Sequence, residues 1–149
     1  MVTSRAWQFC RDQRGVSAIE FAIIAPIAAT VMLAAFDLGN AAQQQIALRE
    51  AVRTGGQYAI HFPTNPSDIQ AAVTSALPSG WTLSNPGGVP VVTCQCGTYG
   101  TYNDCSAPPA TCTDPMLLTI TATMAYAALE PWVTTAIPNL SASYVVRFH

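Results

Sequence analysis

An apolar run of 16 residues without a charge, residues 21–36, constrains this chain more than any other feature. Extended back to residue 16, the segment is 21 residues long and holds one charge, Glu20. A helix needs about 20 mostly apolar residues to cross a bilayer, so this segment is long enough. A carboxylate costs about 2.5–3.5 kcal/mol at the centre of such a span and less near its ends. We therefore expect a positive charge to compensate Glu20, supplied by another chain or by a new N-terminus.

The charges before the apolar segment predict its orientation. Residues 1–15 carry three arginines and one acid, namely Arg5, Arg11, Arg14 and Asp12. Short flanks rich in arginine stay on the cytoplasmic side of a membrane. We therefore expect a cytoplasmic N-terminus, a single pass and an extracytoplasmic remainder. The clustered cysteines of that remainder agree with this topology, because disulfides persist in oxidising compartments.

A cleaved secretory signal peptide is the alternative interpretation of the same basic flank and apolar run, and its product would be a secreted domain. The run is long for such a signal, Glu20 interrupts its start, and no clean small-x-small cleavage site follows it. Gly39-Asn40-Ala41 is a weak candidate for that site. The anchored interpretation is therefore preferred.

The composition excludes nucleic-acid binding as a function class. Only 9% of the residues are charged, against about 25% in an ordinary soluble domain. The net charge is −2, and the arginines do not cluster in the C-terminal part, so no basic surface is expected. The 149 residues are enough for one modest domain and an anchor.

The first helix is expected to continue beyond the membrane segment. Residues 37–57 contain no proline and place apolar side chains at roughly helical spacing. Gly55-Gly56 supplies the predicted end of this helix. A helix from Ser17 to about Thr54 would be about 55 Å long. That length exceeds any bilayer core, so the second half is expected to project outward.

A short second helix is predicted after a turn-rich hinge at residues 61–66. Ser67 and Gln70 have the spacing of a capping box, with Ser67 at the N-cap. Apolar residues then recur at helical spacing, namely Ile69, Ala72, Val73, Ala76 and Leu77. Pro78-Ser79-Gly80 ends the pattern.

The remaining residues predict a small sheet. Residues 89–96, 117–126 and 140–148 have strand-like patterns, and residues 81–83 predict a further short strand. Residues 97–115 are expected to be a long loop, and residues 127–138 an irregular connection. The predicted fold class is α+β: a long N-terminal membrane-spanning helix that continues into a small head, with a short second helix and three or four antiparallel strands.

Four cysteines lie close together, namely Cys94, Cys96, Cys105 and Cys112. An even, clustered set predicts two disulfides outside the cytoplasm. The alternative is a zinc site, but the spacing is not a usual zinc-ribbon pattern. Cys94 and Cys96 are held apart along a strand, so each is expected to pair with Cys105 or Cys112. Both pairings remain open from the sequence.

The sequence contains few side chains that could catalyse a reaction or bind a metal. His61 and His149 are isolated, and surface positions are expected for both. Asp104 and Asp114 could bind calcium, but they lack the ordered acidic spacing of a calcium loop. We therefore expect no enzymatic activity, no metal and no cofactor.

A distinctive residue pattern surrounds the start of the apolar segment. Gly15 follows Arg14, and four residues later come Glu20 and Phe21, with Pro26 in the run. This pattern resembles the start of TadE-like minor pilins (pseudopilins) of the tight-adherence (Flp) type IV pilus system. The resemblance covers roughly residues 13–57, and similar TadF-type pseudopilins share it. It implies a type IV pilin-like fold.

The resemblance also implies how the N-terminus is processed and packed. A prepilin peptidase would cut between Gly15 and Val16, which removes residues 1–15. Glu20 would then pair with the new α-amine of Val16 on a neighbouring subunit, with Phe21 and Pro26 at the packing surface of the helices. The implied partners are the prepilin peptidase, other pilin subunits, the inner-membrane assembly platform and the lipid bilayer.

The implied function is a minor pilin that takes part in the initiation or tip priming of a tight-adherence pilus. The expected organisation is a leader at 1–15, a transmembrane half at 16–38, an outer helix half at 39–60 and a head at 61–149 with a disulfide-bonded loop at 94–112. The head would lie in the periplasm, or at the cell surface after assembly. The alternative is a membrane-anchored adhesion or binding module that never enters a pilus.

Overall fold

The computed structural model describes residues 14–96, 101–102, 105, 116–129 and 131–148. Its helices are α1 Arg14–His61, α2 Pro66–Ala76 and α3 Pro131–Ala136. Its strands are β1 Val91–Cys96, β2 Thr101–Tyr102, β3 Met116–Ala125 and β4 Asn139–Phe148. The predicted α+β fold class is confirmed: a long apolar N-terminal helix and a short second helix accompany an antiparallel sheet.

The sheet has the strand order β2-β1-β3-β4, and every neighbouring pair is antiparallel. β3 is central and alternates along its length, with Leu118, Ile120 and Ala122 all at 0% exposure. Period-2 burial of this kind is expected when one face of a sheet packs on a core. That face packs on the outer half of α1.

The outer half of α1 is buried because the sheet and α2 cover it. Leu48 is 0% exposed, Val52 1% and Ala59 0%. The helix runs on to His61, so the predicted end at Gly55-Gly56 is wrong. Burial of the residues on both sides of the glycines offsets their low helix propensity, about 1 kcal/mol each relative to alanine.

The two glycines of α1 allow close approach by the head. A Cβ atom on Gly55 would overlap Cγ2 of Val73 in α2 and lie 3.4 Å from the carbonyl oxygen of Ile69. A Cβ atom on Gly56 would overlap the ring of Tyr144 in β4. The glycine pair is therefore a packing site for two other elements of the fold.

α2 begins two residues earlier than the predicted capping box requires. Asn65 is its N-cap, without a capping hydrogen bond from the side chain, and Pro66 opens the helix. The assignment of Ser67 to the N-cap is therefore wrong, because proline has the backbone angle that the first helical position needs. Gln70 instead donates a hydrogen bond from Nε2 to the carbonyl oxygen of Pro90, at 3.0 Å.

Residues 81–84 form no strand, which corrects the prediction for residues 81–83. The backbone N–H of Ser84 donates to the carbonyl oxygen of Thr123 in β3, at 2.8 Å. The N–H of Thr123 donates to the side-chain Oδ1 of Asn85, at 2.7 Å. Because a side-chain amide takes the place of a backbone carbonyl here, residues 81–84 do not pair with β3 as a strand.

The connection between β3 and β4 contains a helix, which corrects the prediction of an irregular segment at residues 127–138. α3 opens with Pro131, a residue favoured at the first helical position. Val133 in its middle is 1% exposed, and the N–H of Ile137 donates to the carbonyl oxygen of Val133 at 2.8 Å. One buried apolar side chain thus fixes this short helix to the core.

Candidate functional site: the apolar helix and the base of the head

The inner half of α1 is apolar and exposed on every side. Phe21 is 72% exposed, Ile24 60% and Met32 75%. Between residues 17 and 36 only Ala25 and Ala34 are half-buried. Contiguous apolar surface of this extent is unfavourable in water and marks a contact with lipid or with other protein. By length and composition, α1 is able to cross a membrane.

The predicted assembly residues all lie on this exposed part of α1. Glu20 and Phe21 are neighbours and both are exposed. Pro26 lies inside the helix, about 9 Å further along the axis. Gly15 and Val16, the predicted processing site, lie in the first turn of α1. The structure thus places these residues on one continuous helix.

Pro26 does not interrupt α1, although its missing N–H leaves the carbonyl of Ala22 without its usual helical donor. The hydroxyl of Thr30 donates to the carbonyl oxygens of Pro26 and Ile27, at 2.7 and 3.1 Å. Thr30 is the polar side chain nearest to Pro26 on its C-terminal side, and this back-bonding keeps its hydroxyl against the helix.

Asp37, the first charge after the apolar run, connects α1 to the head. Its side chain is 1% exposed, and among the residues that the structure describes it is the only charged one that is buried. Asp37 Oδ1 accepts a hydrogen bond from the backbone N–H of Leu129, at 3.1 Å. The Tyr126 hydroxyl donates to the backbone carbonyl oxygen of Asp37, at 2.6 Å. This role of Asp37 was not predicted from the sequence, although its position directly after an uncharged run is a visible signal.

Apolar side chains lie exposed next to Asp37, in residues 126–129 and 131–136. We call this surface the base of the head. Leu129 is 68% exposed and Trp132 of α3 is 56% exposed. Trp132 forms one wall of an open groove of about 390 Å³. Residues of α1 form the other wall, namely Thr30, Val31, Ala34, Ala35 and Leu38. This groove joins the head to the last turns of the apolar helix.

A disulfide joins Cys94 in β1 to Cys105, with the two Cα atoms 5.6 Å apart. This is one of the pairings that the spacing left open. Both side chains are 0% exposed and belong to the hydrophobic core. Cys96 is also disulfide-bonded, while Cys112 lies outside the described residues.

The alternative metal sites gain no support from the described part of the chain. Cysteines joined in a disulfide supply no thiolate to zinc. Within the described ranges no group of three or more His, Cys, Asp or Glu side chains could hold a metal ion. His61 lies exposed at the end of α1, as expected. His149, Asp104 and Asp114 fall outside the described residues.

Comparison with protein families gives one match, the TadE-like protein family, at residues 15–57. No curated protein and no solved structure matches the chain. The matched segment begins at Gly15 and lies entirely within α1. The resemblance inferred from the residue pattern at Gly15 is therefore confirmed, and residues 15–57 of this chain are similar to the TadE-like family.

Proposed function

We propose that this protein is a minor pilin, or pseudopilin, that takes part in the initiation or tip priming of a tight-adherence pilus. A prepilin peptidase removes residues 1–15, and residues 16–38 then hold the protein in the bacterial inner membrane. Residues 39–60 carry the head, residues 61–149, on the periplasmic side. The observation that carries this proposal is that the TadE-like match and the exposed apolar helix coincide in α1.

The exposed helix surface supports a role in assembly. Side chains such as Phe21 at 72% exposure and Ile23 at 63% do not pack against the core of the head. In a membrane they contact lipid, and in a pilus they would contact the helices of other pilin subunits. Pilin subunits, the assembly platform and the prepilin peptidase are therefore the proposed partners. Such a role requires neither a catalytic group nor a cofactor.

Glu20 is proposed to fix the register in which the helices of neighbouring subunits pack. It is a single carboxylate on an otherwise uncharged helix surface, and cleavage after Gly15 creates an α-amine one helical turn before it. A neighbouring subunit displaced along the helix axis could bring that amine to Glu20. Buried pairs of this kind determine register more than they add stability.

The N-terminus of the protein purified from membranes tests the processing step. We expect an intact mass that corresponds to a chain starting at Val16, because the proposed scissile bond follows Gly15, where the TadE-like match begins. Cells that lack the prepilin peptidase serve as the control and should yield a chain starting at Met1. A start at Met1 in cells that contain the peptidase would contradict cleavage. A start near Ala42 would instead indicate a secreted domain.

Substitution of Glu20 tests the assembly step. In Glu20→Ala cells we expect near-complete loss of surface pili, counted by electron microscopy, with the amount of protein in the membrane unchanged. Removal of the carboxylate makes the span more apolar, so anchoring is retained. Glu50→Ala is the matched control, since Glu50 is exposed on the same helix beyond the apolar segment. Normal piliation in Glu20→Ala cells would favour the alternative, an anchored binding module outside the pilus.

A further inference from the structure

The charges that bound the apolar segment lie closer together than the thickness of a bilayer core. Glu20 and Asp37 are 17 residues apart in α1, which is about 25 Å along the helix axis. The hydrocarbon core of a bilayer is about 30 Å thick. With the core centred on residues 21–36, Asp37 lies at the membrane boundary on the side of the head.

The head buries the Asp37 side chain and donates a hydrogen bond to it. An ionisable group at the membrane boundary is stabilised when protein groups surround it and supply hydrogen bonds. Asp37 is 1% exposed, and its Oδ1 accepts the N–H of Leu129 at 3.1 Å. The loop at residues 126–129 therefore covers Asp37 where lipid would otherwise contact it.

Three backbone N–H donors of the same loop have acceptors in the protein, as irregular backbone near lipid requires. The N–H of Tyr126 donates to the carbonyl oxygen of Pro138, at 3.1 Å. The N–H of Ala128 donates to Thr134 Oγ1, also at 3.1 Å, and that of Leu129 is used by Asp37. These three donors consequently need no water.

The exposed large side chains of this loop and of α3 are apolar. Leu129 is 68% exposed and Trp132 is 56% exposed, while Val133 anchors α3 to the core at 1% exposure. The groove between Trp132 and α1 is lined by apolar side chains and by Thr30, whose hydroxyl is bonded to the backbone of its own helix. This surface offers a ligand apolar contact with no polar partner.

We propose that the base of the head, residues 126–129 and 131–136, is a membrane-interface surface that inserts Leu129 and Trp132 into the outer boundary of the bilayer that α1 crosses. Acyl chains fill the groove beside Trp132, and the indole N–H remains at headgroup level. Tryptophan is enriched at this depth because one part of its ring is apolar and the other is a hydrogen-bond donor.

Lipid is the occupant that the geometry favours over a second protein chain. The groove is continuous with the candidate span, because its α1 wall consists of residues 30–38 and the uncharged run ends at residue 36. Lipid therefore reaches the groove wherever it surrounds the span. Contact would hold the head at a set depth and tilt relative to the membrane. This inference rests on the membrane anchoring in the proposed function, and not on pilus assembly.

Quenching of tryptophan fluorescence tests the proposal on the full chain reconstituted in phosphatidylcholine–phosphatidylglycerol vesicles. The chain contains three tryptophans, so Trp7→Phe/Trp81→Phe leaves Trp132 as the only emitter. We expect lipids brominated near the headgroup end of the acyl chain to quench it at least about twofold more strongly than lipids brominated near the methyl end.

Trp81 provides the matched control, in the variant Trp7→Phe/Trp132→Phe. It is half-buried against the core and lies beside Gln44, which is six residues, or about 9 Å, beyond Leu38. We expect little quenching of Trp81 by either lipid. Should the loss of Trp81 impair folding, the difference in quenching between the wild-type chain and Trp132→Phe gives the same comparison.

The outcomes separate this proposal from the proposed function. A chain that enters vesicles while Trp132 is quenched no more than Trp81 overturns the interface surface and leaves the anchor intact. A chain that fails to enter vesicles overturns both. Quenching that disappears as the protein-to-lipid ratio rises would assign the groove to a second copy of the chain instead of to lipid.

Discussion

Removal of the Cys94–Cys105 disulfide is expected to lower the free energy of unfolding of the head by about 3 kcal/mol. The two cysteines are 11 residues apart, and the estimate is the loop-closure entropy that the unfolded chain regains when the link is lost. For a head of this size, the melting temperature should fall by more than about 10 °C. Thermal unfolding of the full chain in detergent, followed by near-ultraviolet circular dichroism, measures the change.

The double variant Cys94→Ala/Cys105→Ala is the appropriate test of this disulfide. Both side chains are 0% exposed, so Cys105→Ser would also bury a hydroxyl, at a further cost of about 1–3 kcal/mol if it stays unpaired. A single variant would in addition leave one thiol free for exchange. Cys10→Ala is the control, because Cys10 precedes the apolar helix. An unchanged melting temperature in the double variant would mean that the link does not stabilise the head.

Gly55→Ala is expected to destabilise the head by about 1–3 kcal/mol, the usual cost of overpacking a well-packed core. The new methyl group would overlap Cγ2 of Val73, which is 0% exposed and cannot move outward. Val73 is also β-branched, so rotation about its χ1 angle is restricted. The same thermal unfolding experiment measures the loss.

Gly39→Ala is the matched control, because the same substitution in the same helix has the opposite expected sign. A Cβ atom on Gly39 meets nothing within 4 Å. Alanine should therefore raise the free energy of unfolding by about 0.5–1 kcal/mol, the ordinary gain in a helix interior. If both variants were stabilised, close packing of α1 against α2 would be wrong.

The elements with a clear periodicity could be predicted from the sequence. Alternation in residues 117–126 predicted β3, and the structure has it at Met116–Ala125 with alternate side chains buried. The final strand was predicted at residues 140–148 and is Asn139–Phe148. These signals are local, because one face of a strand packs on the core and the other faces water. Apolar and polar residues therefore alternate along the strand.

Elements stabilised by distant contacts could not be predicted in this way. α3 depends on one buried side chain, Val133, whose surroundings come from the rest of the core. The burial of Asp37 depends on Tyr126 and Leu129, which are 89 and 92 residues away in sequence. No local pattern specifies a partner at that separation, so the base of the head was missed.

The sequence alone predicted an uncharged apolar segment with a TadE-like start, and after it an α+β head with clustered cysteines. These features rest on composition, spacing and local period. Contacts between distant parts of the fold set how far α1 runs, the pairing of Cys94 with Cys105, and the role of Gly55 and Gly56 as contacts instead of a helix end. The physical reason is that helix propensity at a glycine is worth only about 1 kcal/mol, and the burial of α1 against α2 and the sheet outweighs it.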